Sequence, residues 1–214
     1  MLSNFPPLVQ TQDASPCAVA KIRTRSAGQL LHALDRAEAL PHLRGFVQAL
    51  GAVPVLLIPG NWEHWSGVSF GALAQSGAHL LLNDRWSLSR DGRTLLILGL
   101  DDFTAGQPDL RLLARDDPAS VDKLLVQHSP GFFEQPEVNQ AMQARPIPLC
   151  LSGHTHGGQV AIGGWAPFRP VGSGRFVAGF YDVPGCRLFV SKGVGTSVLP
   201  LRWGASPEVV VFEL

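Results

Sequence analysis

The chain has 214 residues, 45% of them hydrophobic, with 17 basic and 17 acidic side chains. It is long enough to bury the core of a single domain, and its balanced charge gives no field to recruit nucleic acid. The cysteines Cys17, Cys150 and Cys186 are odd in number, far apart and without a Cys-x-x-Cys pair, so they are expected as reduced core thiols and not as a disulfide framework or a zinc site.

Residues 1–28 have prolines and an Arg/Ser-rich stretch that break every apolar period, so they are expected to form a poorly ordered or non-native leader, with one domain over 29–214. From Gln29 to Ala52, apolar residues recur at three- and four-residue spacing around Pro41, which predicts one amphipathic helix, or two meeting at the proline. Val53 to Ile58 is an all-apolar strand stopped by Pro59-Gly60. A helix feeding such a strand points to an α/β layer arrangement. Gly60-Asn61-Trp62-Glu63-His64 forms the loop after it. Phe70–Ala78 reads as a helix, Leu80–Leu82 as a short strand, and 86–100 as a hairpin turning at Asp91-Gly92. After the polar loop of Asp101 and Asp102, a helix begins at Leu110, and strand 124–126 ends on Gln127-His128-Ser129-Pro130. The remainder, with strands near 175–181, 188–191 and 208–214, reads as an antiparallel meander.

The organising stretch is Gly153-His154-Thr155-His156-Gly157-Gly158-Gln159, after the apolar run 147–151. A buried strand delivers two imidazoles into a glycine-bounded loop, and imidazole is a common ligand for zinc, manganese and iron. On an extended segment His154 and His156 would point to opposite sides and serve two ions more naturally than chelate one. No apolar run approaches the ~20 residues of a membrane span, and no signal-peptide pattern opens the chain, so a cytoplasmic location is expected.

Strand-Gly-Asn, strand-His-x-Pro and strand-Gly-His-Thr-His-Gly-Gly-Gln together resemble the last three signature blocks of the calcineurin-like metallophosphoesterases. The segments Val190 to Ser197, Leu199 to Arg202 and Pro207-Glu208 are similar to the bacterial branch of cell-wall or lipid-precursor phosphodiesterases, and the resemblance runs from about residue 51 to 214. It implies a four-layer α/β sandwich with a two-metal centre of Mn, Fe or Zn. The residues matching Asn61, His128 and His154 would hold the second metal, and the one matching His156 would reach the first. The implied activity is hydrolysis of a small-molecule or lipid-like phosphate ester, compatible with peripheral membrane contact; hydropathy and charge balance lead to the expectation of no membrane span and no nucleic-acid partner.

Two departures qualify the resemblance. The family's Asp-x-His and Gly-Asp-x-x-Asp blocks do not occur before Gly60, so the expected fold lacks its first strand or strands and the centre holds fewer than two metals. Trp62 also stands where the family carries a histidine that assists the leaving group, and His64 is the candidate catalytic substitute. Three readings follow: an impaired phosphoesterase in a truncated chain, a non-catalytic binding or scaffold protein that kept the fold, or a frame-shifted product.

Overall fold

The computed structural model describes residues 39–162, 165–197 and 201–213; the leader expected over 1–28 and Cys17 lie outside them. The first helix, α1, spans Ala39–Leu50. Pro41 lies near the start of its described residues, and the part of the expected helical stretch over 29–38 lies outside them. The remaining elements are β1 (Leu56–Leu57), α2 (Asn61–Trp65), α3 (Phe70–Ala74), β2 (His79–Leu80), β3 (Asp84–Arg90), β4 (Arg93–Gly99), β5 (Val121–Val126), α4 (Pro136–Ala144), β6 (Leu149–Ser152), β7 (Gly179–Val183) and β8 (Cys186–Val190).

The fold is mixed α/β. A six-stranded sheet runs β3-β4-β5-β6-β8-β7, and a separate parallel pair joins β1 to β2. Strands β4, β5, β6 and β8 are mutually parallel, while β3 and β7 close the two edges as antiparallel partners of β4 and β8. The meander expected over 175–214 is therefore reduced to the single β7-β8 hairpin. The hairpin expected over 86–100 is formed by β3 and β4 and turns at Asp91-Gly92, with φ of 52° and 77°, the left-handed pair that a two-residue hairpin turn requires.

Both faces of the parallel strands are covered, which is why they read as continuous apolar runs. Leu96, Leu98, Leu100, Leu125, Cys150, Leu188 and Val190 enter one core with Phe132, Phe133, Val138, Met142 and Phe176. Ile97, Leu124 and Leu149 enter the other with Leu81, where Leu56, Ile58 and Phe212 pack. Among the described residues, β1 and β2 alone stand for the second sheet of the expected sandwich.

Two local expectations are corrected, and one helix was not anticipated. Cys150 and Cys186 are a disulfide, not separate thiols. They lie on adjacent strands, both buried, with a Cα–Cα distance of 6.2 Å, inside the range a bridge spans; adjacency of β6 and β8 is not visible across the intervening sequence. Residues 208–213 are irregular, not a strand; Glu208 is held through its own N–H on Gly193 O and through Lys192, in the loop after β8. Helix α4 had no sequence call, because only Val138 and Met142 of its nine residues are buried and its apolar stripe is short.

Candidate metal centre

The parallel strands end on one edge of the sheet, where α/β folds present their loops. Loop backbones are tied across strands: Gly153 N–H donates to His128 O at 3.0 Å, and Gln127 N–H to Leu151 O at 3.1 Å. The segments after β5 and β6 therefore leave the sheet together. Asn61 enters from a third direction as the first residue of α2, where Glu63 accepts a bond from Gly60 N–H at 2.7 Å and fixes the helix start.

These supports bring Asn61, His128 and His154 to one point. The Asn61 amide oxygen lies 3.1 Å from His128 Nε2 and 3.1 Å from His154 Nδ1, and the two rings stand edge to face with centroids 5.1 Å apart. Asn61 and His154 are buried, and burial drives the His128 ring neutral down to about pH 3, with the His154 and His156 rings adding to the effect. Burial also lowers the pKa of His154 and of His156.

The tautomer of His154 follows from its other nitrogen. Nε2 lies 2.8 Å from the Val171 carbonyl, which can only accept, so Nε2 carries the proton and Nδ1 of the neutral ring presents a lone pair. That lone pair faces the Asn61 amide oxygen, a second acceptor, with no proton between them. Two acceptors at 3.1 Å repel unless a cation takes both, and this spacing is about that of two donors each ~2.1 Å from one ion. Histidine, cysteine and carboxylate side chains form no three-ligand group among the described residues; the third donor is the neutral amide of Asn61.

His156 lines the same cleft, of about 210 Å³, with Asn61, Trp62, Trp65, His154, Pro170, Val171 and Ser197. The expectation of divergent histidines fails because the loop is not extended. His154 and His156 take φ of 67° and 51°, and Thr155 between them is helical. Thr155, fully buried, anchors the turn by donating its hydroxyl to Val177 O at 2.6 Å. Left-handed φ at two non-glycine residues is the kind of strain that a site retains when its surroundings impose it.

Glycine at position 60 is a steric requirement. A Cβ there would lie 2.7 Å from Cε1 and Nε2 of His128. Gly60→Ala is expected to displace the ring, cutting metal affinity by at least ~10-fold and stability by about 1–3 kcal/mol. Gly153→Ala, whose Cβ meets open space, should change neither. Zinc titration and thermal melts of the two variants side by side check this, and equal behaviour would refute it.

His64 is not among the cleft-lining residues. Its Nε2 lies 2.6 Å from Asp101 Oδ1, and its ring stands edge-on to Phe70. Asp101 also accepts from the N–H groups of Asp102 and Gln107. Asp102, fully buried, accepts from Thr104 N–H, Ala105 N–H and the Ser129 hydroxyl, tying the loop after β4 to the residue beside His128.

Arg202 went unassigned in the sequence. Its guanidinium donates to the carbonyls of Gly195, His156, Ala205 and Lys192, which occupies its donors and gathers three loops around His156. The supporting Val171 and Gly195 carbonyls carry no sequence signal, since any residue supplies one.

No family model matches the chain. Among curated proteins it is similar to the uncharacterized metallophosphoesterase YkuE of Bacillus subtilis, 32% identical over 165 residues, 74% of this chain and 55% of the relative. It is also similar to the phosphodiesterase YaeI of Escherichia coli, 32% identical over 146 residues, 66% of this chain and 49% of the relative. Among solved structures, the sulfate thiohydrolase SoxB of Thermus thermophilus aligns with a TM-score of 0.48 at 12% identity, over 72% of this chain and 30% of that one. The chain thus spans about half the length of the curated relatives it matches. With its Gly-Asn, His-x-Pro and Gly-His-Thr-His blocks meeting at Asn61, His128 and His154, the chain belongs to the metallophosphoesterase family.

Proposed function

We propose that the chain is a metal-dependent phosphoesterase, a phosphodiesterase by class, that holds a divalent ion on Asn61, His128 and His154 with His156 at its flank. The observation that carries this is the facing pair of acceptors, Asn61 Oδ1 and His154 Nδ1, 3.1 Å apart. A divalent ion bound there supplies Lewis acidity toward a phosphoryl oxygen. Val171 sets the His154 tautomer that ligation needs, and burial keeps both rings neutral.

One ion is favoured over two. The Arg202 guanidinium lies against His156, its Nη2 3.4 Å from Nδ1, and places a fixed positive charge beside the residue that matches the family's first-metal ligand. Three neutral ligands give a divalent ion no charge compensation, which favours nitrogen-preferring zinc over oxygen-preferring manganese. The cleft wall of Trp62, Trp65, Pro170 and Val171 suits an ester with an apolar group, a small molecule or a lipid-like phosphate. Trp62 has no titratable proton, and His64 is engaged by Asp101, so esters with good leaving groups should be favoured.

The alternative, a fold kept for binding without turnover, has one observation in its favour. The nearby carboxylates Asp101 and Asp102 are taken up by His64, Ser129 and backbone amides and do not line the cleft. The test is elemental analysis of the full chain beside hydrolysis of an aryl and an alkyl phosphodiester with added zinc or manganese. Metal-dependent turnover of the aryl ester, at least ~100-fold faster than the alkyl ester, with the gap narrowed by Trp62→His, is the expected result. Bound metal without turnover would favour the alternative, and no bound metal would remove the phosphoesterase reading.

A further inference from the structure

Asp102, in the loop that follows β4, is fully buried. Its Oδ1 accepts the Ser129 hydroxyl at 2.6 Å, and its Oδ2 accepts the N–H groups of Thr104 and Ala105, each at 2.9 Å. Both oxygens face donors, the pattern of a carboxylate and not of a neutral acid. Glu63 is partly buried, and its Oε2 accepts Gly60 N–H at 2.7 Å. Neither carboxylate has an ion pair among the described residues. The imidazole near Glu63, that of His64, is bonded to Asp101.

Each carboxylate is bonded to the chain neighbour of a candidate ligand, since Ser129 follows His128 and Gly60 precedes Asn61. The loop that bears Asp102 also reaches the third ligand. A Cβ on Gly172 would collide with Thr104 Oγ1 and come 3.4 Å from His154 Nε2. The charge of Asp102 is felt on both sides: burial raises the pKa of Glu63 and Asp102 adds to it, whereas burial lowers that of His154 and the Val171 carbonyl and Asp102 oppose it.

A buried charge is kept where a counter-charge or a metal ion accompanies it. Given the metal centre proposed above, we infer that Asp102 and Glu63 supply, from outside the ligand set, the negative charge that a divalent ion on the neutral Asn61, His128 and His154 requires. Neither carboxylate lines the cleft, so the attraction acts through space, in a buried setting that water and salt screen little. In the metal-free chain the same two charges repel each other and resist burial, and binding of a cation relieves both effects.

The full 214-residue chain is compared with Asp102→Asn and Glu63→Gln at a pH of about 8, above the carboxyl range. Each substitution removes a charge and keeps the shape and an acceptor, asparagine for the Thr104 and Ala105 N–H groups and glutamine for Gly60 N–H. Zinc affinity is expected to fall at least ~10-fold in each, while the unfolding midpoint in EDTA equals or exceeds that of the parent. Cobalt(II) at saturation should give the parent's visible absorption bands in both, because the ligands are unchanged. Asp91→Asn, at the opposite end of β4, should bind zinc as the parent does. The inference is overturned, with the metal centre left standing, by unchanged zinc affinity in either variant, by affinity that falls only together with metal-free stability, by altered cobalt bands, or by an equal loss in Asp91→Asn. Should Asp102→Asn fail to fold, Glu63→Gln decides by the same criteria. A parent that binds no zinc removes the metal centre, and this inference with it.

Discussion

Asn61→Leu is expected to abolish zinc binding, by at least ~100-fold in affinity, while leaving the metal-free chain as stable as the parent or slightly more so. Leucine keeps the branched shape of asparagine, though it is larger, and has no acceptor, so the substitution removes both a ligand and the repulsion between the amide oxygen and the His154 Nδ1 lone pair 3.1 Å away. The ligand loss reads as zinc affinity, and the relief reads as unfolding free energy in EDTA. An amide turned the other way, with its NH₂ donating to both rings, gives the opposite result. Leucine would then leave two buried nitrogens unsatisfied and cost about 1–3 kcal/mol in the metal-free chain. Chemical denaturation with and without zinc separates the two cases, and a destabilised metal-free Asn61→Leu would end the cation reading of this contact.

The second large effect is acid lability of the metal-free chain. His128 stays neutral in the folded state down to about pH 3 because burial opposes its charge, whereas in the unfolded chain it takes a proton near pH 6.5. Between those values the unfolded state binds more protons, so stability falls as pH falls, by about 1.4 kcal/mol per unit. At pH 4.5 His128 alone accounts for a loss of about 2–3 kcal/mol, a large share of a typical domain's stability. His154 and His156, lowered by burial as well, add in the same direction. Glu63 works against them: burial raises its pKa above the usual carboxyl value, so the stability tied to its proton is present at low pH and lost as pH rises through the folded value. Comparing the parent with His128→Gln in EDTA isolates the histidine. The variant should lose markedly less stability between pH 7 and pH 4.5, and parallel curves would count against a neutral, buried His128.

Much of the candidate centre was legible along the chain because each ligand block is local. An apolar strand followed by Gly-Asn, by His-x-Pro or by Gly-His-Thr-His signals a strand end bearing a polar side chain, and parallel strands in an α/β layer share one edge. The core residues of β4, β5, β6 and β8 were readable for a related reason: burial on both faces leaves an uninterrupted apolar run. Elements with short or mixed signals were misjudged. Helix α4 buries two side chains, and residues 208–213 are an apolar run that reads as a strand but forms none.

The sequence by itself determined the mixed α/β class and the hairpin at Asp91-Gly92, and singled out Asn61, His128, His154 and His156 as candidates, because composition, periodicity and turn chemistry are properties of neighbouring residues. Tertiary structure decided which groups meet and in what state. It coiled the His-x-His loop, so that both rings enter one cleft, and set the Val171 carbonyl on His154 Nε2. It also turned His64 onto Asp101 and joined Cys150 to Cys186. Those outcomes depend on contacts between residues far apart in the chain, on carbonyls that any residue could supply, and on burial, whose effect on a histidine's charge exists only once the strands have packed.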